Sequence, residues 1–225
     1  CCGLTDSVDH YTTAYDVALM SRELIVKYPQ VLDYSSVWME DITHVTQQGS
    51  KVFGLTNTNK LVRNYDGCRG LKTGSTSIAK YCVSAVATRN QVTLISVIMT
   101  APDYKVRFAD AASLLNKGFG MCQVYTDENP PKLPMIQVKG ALKKETACVY
   151  DDVFHYVDTT QADLSQIQAA LWVEEEVKAP ISKDDVAGHL VYTLDGEEIG
   201  RVEVRYATDC PRATYIEFLE ETAKH

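Results

Sequence analysis

Between Thr12 and Lys27 the apolar residues Ala14, Val17, Ala18, Leu24 and Ile25 recur on one side of a 3.6-residue period. Thr12 or Thr13 is placed to cap this segment and Tyr28-Pro29 to stop it, so the pattern predicts an amphipathic helix. After a polar stretch the period changes. "KVFGLT" at 51–56, "GCRGLKTGSTSIAKY" at 67–81, "YCVSAVAT" at 81–88 and "QVTLISVIM" at 91–99 read as strands, and the last two are joined only by Arg89 and Asn90, which predicts a hairpin. A second helix is expected from Asp103 as cap through "YKVRFADAASLLNKGFG", ending at Gly118 and Gly120.

The texture then shifts. "YTDENPPKLP" at 125–134 is polar and proline-rich, the composition of a boundary. Beyond it come short alternating runs such as "PMIQVKG" and "GHLVYTLDGEEIGRVEVRY", with Asp195-Gly196 as a hairpin turn signal. The chain therefore divides, by expectation, into a mixed α/β part at 1–122, a linker at 123–133, a β-rich domain of sandwich-like character at 134–215 and a tail at 216–225. It shows no internal repeat and no low-complexity tract.

Composition narrows the function classes. A net charge of −8 argues against nucleic acid as the main partner, since binding a phosphate backbone normally needs a basic face. No apolar run reaches the length of a spanning helix, and the first residues, "CCGLTDSVDH", lack the parts of a signal peptide. The seven cysteines form no C-x-x-C pair, which speaks against a zinc or redox motif and leaves buried free thiols as the plain reading.

The glycine-rich stretch at 67–81 is the candidate chemistry. A phosphate loop would need glycine directly ahead of the lysine and a helix after it, whereas here Leu71 precedes Lys72 and a strand follows. Lys-Thr-Gly on a strand that leads into a hairpin and then a helix is instead the setting of the triad in penicillin-recognising serine enzymes. The residue types suit that chemistry: a lysine brings positive charge, a threonine hydroxyl can bond a carboxylate, and a glycine leaves the strand edge bare for an extended ligand.

Five segments in order carry a wider likeness: "GLTD" at 3–6, "YTTAYDVALMSREL" at 11–24, "TNTNKLV" at 56–62, "GLKTGST" at 70–76 and "LLNKGF" at 114–119. Together they resemble the D-alanyl-D-alanine carboxypeptidases among the low-molecular-mass penicillin-binding proteins. "APISKDDVAGHLVYTLDGEEI" at 179–199 is similar to the β-rich domain that follows the catalytic domain in that family.

The resemblance implies part of a penicillin-binding/β-lactamase-like transpeptidase core, an α/β (α+β) fold on an antiparallel sheet, followed by an all-β domain. It implies a serine acyl-transfer enzyme that removes the terminal D-alanine of peptidoglycan stem peptides and is acylated by β-lactams, acting extracytoplasmically, with no cofactor and no metal. Carried onto this chain, Lys72 and Thr73 engage the substrate carboxylate, Gly74 keeps the strand edge open, and the Ser75 backbone N–H is one of two oxyanion donors. Gly70 would allow the tight entry to this strand or simply serve a turn. Thr58 and Asn59 fall near the cleft, with structural roles expected for both.

The family's Ser-x-x-Lys and Ser-x-Asn segments have no counterpart in the expected place, and the nucleophile is expected on an N-terminal segment outside this chain, which is itself a partner. The one Ser-x-x-Lys, Ser77 to Lys80, is expected on the strand after Lys-Thr-Gly, where residues three apart point to opposite faces. His10, His44, His155, His189 and His225 lack metal-ligand spacing and are read as surface or loop residues, no G-x-S-x-G elbow exists, and Glu174 to Glu176 read as a solvated strand end or turn. "YIEFLEETAKH" stays open between an ordinary terminal segment and the start of an amphipathic tail giving peripheral membrane association. The rival function is a penicillin-binding-like module that binds peptidoglycan or a partner protein without hydrolysis.

Overall fold

In the computed structural model, which describes Ser7 and residues 9–222, the first helix α1 spans Ala14–Lys27. Its start is fixed by a capping box: the Thr13 side chain accepts from the Asp16 N–H at 3.0 Å, and the Asp16 carboxylate accepts from the Thr13 N–H at 3.2 Å. A short α2, Val31–Ser35, follows Pro29. Residues 39–46, within the stretch that looked only polar, form β1 (Met39–Thr46), which pairs antiparallel with β2 (Gly49–Thr56) in an exposed hairpin. Its alternation was hidden because neither face is buried.

A single turn, α3 (Leu61–Asn64), leads to the sheet that matters: β3 (Cys68–Thr76), β4 (Lys80–Arg89) and β5 (Val92–Ala101), antiparallel in the order β3-β4-β5. Helix α4 (Tyr104–Met121) closes this unit, its N-terminus capped by the Asp103 carboxylate, which accepts from the Lys105 and Val106 N–H groups. The hydrogen bonds to those two amides hold the Asp103 carboxyl below the usual carboxylate range. The helix runs through Gly118 and Gly120 instead of stopping at them. Gly118 earns its place by packing: a Cβ there would come within 2.8 Å of Leu94.

The sheet is covered on both sides. Val83, Ala85 and Ala87 of β4 pack with Phe108, Ala111 and Leu115 of α4, and the small residues let helix and sheet approach closely. Ser84, pointing to the opposite face, meets Ser21 of α1 across a buried hydroxyl–hydroxyl bond of 2.8 Å. Along α1 the inward residues are Val17, Ala18, Ser21 and Ile25, whereas Ala14 and Leu24, expected on the same face, are exposed. The connection from β3 to β4 is a turn at 77–79, so Ser77 and Lys80 lie on neither a strand nor a helix together. The earlier reason for discounting that pair, opposite faces of one strand, gives way to a simpler one: no helix carries it.

Two glycines of β3 differ in kind. Gly70 has φ +149°, and a Cβ on it would lie 2.3 Å from the Ser35 Oγ, whose hydroxyl donates to the Arg69 carbonyl at 2.6 Å. This position requires glycine both for conformation and for close approach. At Gly74 a Cβ would meet nothing within 4 Å.

The chain splits into two compact units, residues 1–122 and 123–225. In the second, β6 (Gln123–Thr126) lies in the stretch that composition marked as linker; it pairs with β10 (His155–Asp158) and so belongs to this unit's β-structure. Between them come β7 (Ile136–Lys139), β8 (Glu145–Thr146) and β9 (Cys148–Tyr150). After them come β11 (Gln168–Val173), β12 (Glu176–Lys178), β13 (Val186–Leu194), β14 (Glu197–Tyr206) and the helix α5 (Tyr215–Thr222).

A four-stranded sheet β11-β13-β14-β9 and a three-stranded sheet β12-β7-β8 share a core in which Ile136 packs with Ala187, Val204 and Tyr206. Asp195 and Gly196 both have positive φ, +53° and +85°, as the tight β13–β14 turn demands. Glu176 sits on β12 and pairs with Lys139 at 2.5 Å. Of the described cysteines, Cys68 and Cys210 are buried, while Cys82, Cys122 and Cys148 are partly exposed, and all five are free thiols. Cys1, Cys2, "GLTD" at 3–6 and His225 lie outside the described residues. Among the described residues no group of three His, Cys, Asp or Glu side chains is arranged to hold a metal ion. No described helix is long and apolar enough to cross a membrane.

Leu115→Ala removes a side chain that is 1% exposed at the centre of the α4–β4 contact, and urea unfolding of the variant is expected to show a loss of about 2–5 kcal/mol. In the same assay Gly70→Ala is expected to cost more than about 1 kcal/mol. Gly74→Ala should stay within about 0.5 kcal/mol of the parent.

Candidate functional site

The site forms where β3 is the outer strand of its sheet. Its far edge has no partner strand among the described residues, so a row of backbone N–H and C=O groups faces outward beside Lys72, Thr73, Gly74 and Ser75. All four residues singled out in the sequence line one cleft of about 580 Å³. Side chains alternate along the strand, so Lys72 is exposed and Thr73 is buried.

Thr73 is positioned from the side. Its hydroxyl lies 2.7 Å from the hydroxyl of Thr58, which follows β2 and lines the same cleft. Neighbouring Asn59 is 1% exposed and its Oδ1 accepts from the Leu61 N–H at 3.2 Å, which fixes the start of α3. Thr58 thus belongs to the cleft, while Asn59 holds the turn behind it. The Lys72 ammonium folds back to donate to the Thr73 carbonyl.

The residue that the sequence reading missed is Arg107. It is 8% exposed, and its Nη1 donates to the carbonyls of both Gly74 and Cys82 at 3.2 Å, tying α4 to the Gly74–Cys82 pair of β3 and β4. Its guanidinium lies over the rings of Phe108 and Tyr81, 4.7 and 5.5 Å from their centroids. Burial pushes the Arg107 pKa down, and the negative charges that Cys82 and Tyr81 can carry oppose that shift. A signal was available: Arg107, Ala111 and Leu115 occupy positions four apart on the face of α4 that is buried, where a guanidinium needs a specific reason to sit.

Two cations, Lys72 and Arg107, therefore line a cleft to which no described Asp or Glu contributes, on a chain with a net charge of −8. With an open strand edge and paired hydroxyls between them, the arrangement suits an extended ligand ending in a carboxylate.

Comparison with known proteins finds relatives of both units. Residues 1–103 match the family model described as D-alanyl-D-alanine carboxypeptidase, and residues 136–212 match that described as penicillin-binding protein 5, C-terminal domain. The D-alanyl-D-alanine carboxypeptidase DacF of Bacillus subtilis is 29% identical over 221 residues, covering 98% of this chain and 56% of its own. Among solved structures, penicillin binding protein 5 from Haemophilus influenzae superposes with a TM-score of 0.60 at 25% identity, over 92% of this chain and 59% of that one. A Streptococcus pneumoniae protein described as a peptidoglycan synthesis regulatory factor (PBP3) shares the fold, with a TM-score of 0.63 at 20% identity over 92% of this chain and 60% of that one. The chain spans little more than half the length of these relatives. Residues 1–103 thus resemble the D-alanyl-D-alanine carboxypeptidases and residues 136–212 the C-terminal domain of penicillin-binding protein 5, and the mixed α/β core and β-rich second unit share the fold of penicillin binding protein 5.

Proposed function

We propose that this chain supplies the carboxylate-holding half of a serine-type D-alanyl-D-alanine carboxypeptidase site that acts on peptidoglycan stem peptides and is acylated by β-lactams. The observation that carries the proposal is the cleft itself, with Lys72, Thr73 and Arg107 around an open strand edge and no carboxylate among its lining residues. In this reading the terminal carboxylate of the stem peptide docks on the Lys72 ammonium and the Thr73 hydroxyl, which Thr58 orients. Gly74 lets the peptide backbone lie against β3 without a side chain in the way.

The Ser75 N–H is one donor to the oxygen that becomes negative when the carbonyl is attacked, a fixed dipole needing no rearrangement during the reaction. Arg107 acts through the backbone, fixing the Gly74 carbonyl and with it the orientation of the Gly74–Ser75 peptide. The attacking serine and its base are not assigned to any described residue, since no described helix bears a Ser-x-x-Lys pair. That observation favours the rival reading for the chain taken alone: a module that binds peptidoglycan or a partner protein without hydrolysis.

The site of action is extracytoplasmic. For the membrane reading of the C-terminus, Tyr215, Ile216 and Leu219 of α5 are exposed apolar residues on one stretch of helix, whereas the exposed Glu217 opposes attraction to an anionic surface.

The isolated 225-residue chain is expected to form no covalent adduct with a labelled penicillin; intact-mass measurement showing stoichiometric acylation would return the nucleophile to this chain. In a form of the protein that carries a Ser-x-x-Lys helix, Lys72→Ala is expected to lower the second-order acylation rate by a factor on the order of 100 or more with an unchanged thermal midpoint. Lys72→Arg should recover only part of that rate, because a planar fork does not replace a compact ammonium. An unchanged rate in a stable Lys72→Ala protein would reject the carboxylate-holding role.

A further inference from the structure

Cys82 stands directly across from Gly74 in the β3–β4 register and lines the same cleft as Lys72, Thr73 and Ser75. It is a free thiol and partly exposed. The thiol donates to the Ala79 carbonyl at 3.3 Å, and its sulfur accepts from the Thr100 N–H at 3.5 Å, so its position is fixed between the β3–β4 turn and the end of β5.

A second observation at the same place concerns charge. Arg107 is more than nine-tenths buried and lines this cleft, and although its Nη1 serves two carbonyls, its Nε is buried with no partner at all. No Asp or Glu is among the described residues lining the cleft, so the charge of this guanidinium is not neutralised there by a carboxylate and favours an anion in the cleft. Lys72 adds a second positive charge at the cleft wall.

We infer that Cys82 is a covalent modification site inside the cleft, selective for thiol-reactive compounds that carry a carboxylate or sulfonate, such as anionic low-molecular-mass disulfides. The anionic group of the reagent is drawn to Lys72 and Arg107 while its sulfur meets the thiol. The thiol first gives its proton to solvent. The Cys82 sulfur then attacks one sulfur of the disulfide, a new S–S bond forms, the old one breaks, and the other half leaves as a thiolate, with no other oxidant or reductant required. The product fills the space beside Gly74. On the proposed function, such a mixed disulfide would close the cleft to a carboxylate-ended peptide, and a reducing thiol would reopen it.

The test needs no enzymatic activity. The whole 225-residue chain is treated separately with sulfonatoethyl methanethiosulfonate, which is anionic, and trimethylammonioethyl methanethiosulfonate, which is cationic. Labelling of the peptide that contains Cys82 is followed by mass spectrometry, in the folded chain and in the chain unfolded in urea. The anionic-to-cationic rate ratio at Cys82 is expected to be larger in the folded chain by a factor on the order of 10 or more. Cys122 and Cys148, outside the cleft, should show no such gain. Lys72→Gln, a change at an exposed side chain that leaves folding intact, should reduce the gain. A Cys82 that stays unlabelled in the folded chain while Cys122 reacts would overturn the inference, and so would a ratio equal to that of the unfolded chain.

A further arm adds a peptide ending in D-alanyl-D-alanine at millimolar concentration. Slower labelling of Cys82 supports the closing of the cleft. Preferential anionic labelling that the peptide leaves unchanged upholds the thiol site and counts against the proposed substrate.

Discussion

One guanidinium joins everything on which the cleft depends. Arg107 enters from α4, is almost fully buried, and holds the carbonyls of Gly74 and Cys82 at equal distances of 3.2 Å. Burying a charge is costly unless it is paired or richly bonded, and no described carboxylate pairs with Arg107. What offsets the cost is two backbone carbonyls and two aromatic faces. Because those carbonyls belong to the facing residues of β3 and β4, the same contact sets the distance of helix from sheet and the orientation of the peptide groups around Lys-Thr-Gly. The helix cap at Asp103 acts upstream of it. By fixing the first turn of α4, the cap decides where Arg107 begins and which face it shares with Ala111 and Leu115.

The division of labour along β3 follows from alternation. Thr73 turns inward and is held by Thr58, so its hydroxyl has a defined place, whereas Lys72 turns outward on a flexible stem. Gly70 and Gly74 look alike in the sequence and do opposite things. The first is forced by backbone conformation and by Ser35 pressing against it; the second is surrounded by open space, so packing does not require it.

The sequence made some of this legible and hid the rest for physical reasons. The β4–β5 hairpin and α4 were readable because β4 is buried on both sides and reads as a continuous apolar run, and because Asp103 is an unambiguous cap. The β1–β2 hairpin was not readable, since a ribbon exposed on both faces has no reason to alternate apolar with polar. Gln123–Thr126 was lost to its neighbours: a short strand next to a proline-rich tract takes on the tract's appearance, and only its pairing with His155–Asp158 reveals it. The Lys-Thr-Gly residues were found because they are contiguous. Arg107 and Cys82 were not, because each reaches the cleft from a different element, and only register and helix phase bring them together.

That last difference bears on how such a site tolerates change. Contiguous residues on one strand keep their mutual geometry as long as the strand survives, but Arg107 and Cys82 meet the triad only through the β3–β4 register and the packing of α4 on Val83, Ala85 and Ala87. A one-residue slip of β4 would turn the Val83 face outward and at the same time carry the Cys82 carbonyl away from the guanidinium. Core packing and site geometry are therefore one constraint here. The small alanines that let α4 come close to the sheet are what bring a buried cation within reach of the strand edge, and without that approach the cleft would hold only the mobile charge of Lys72.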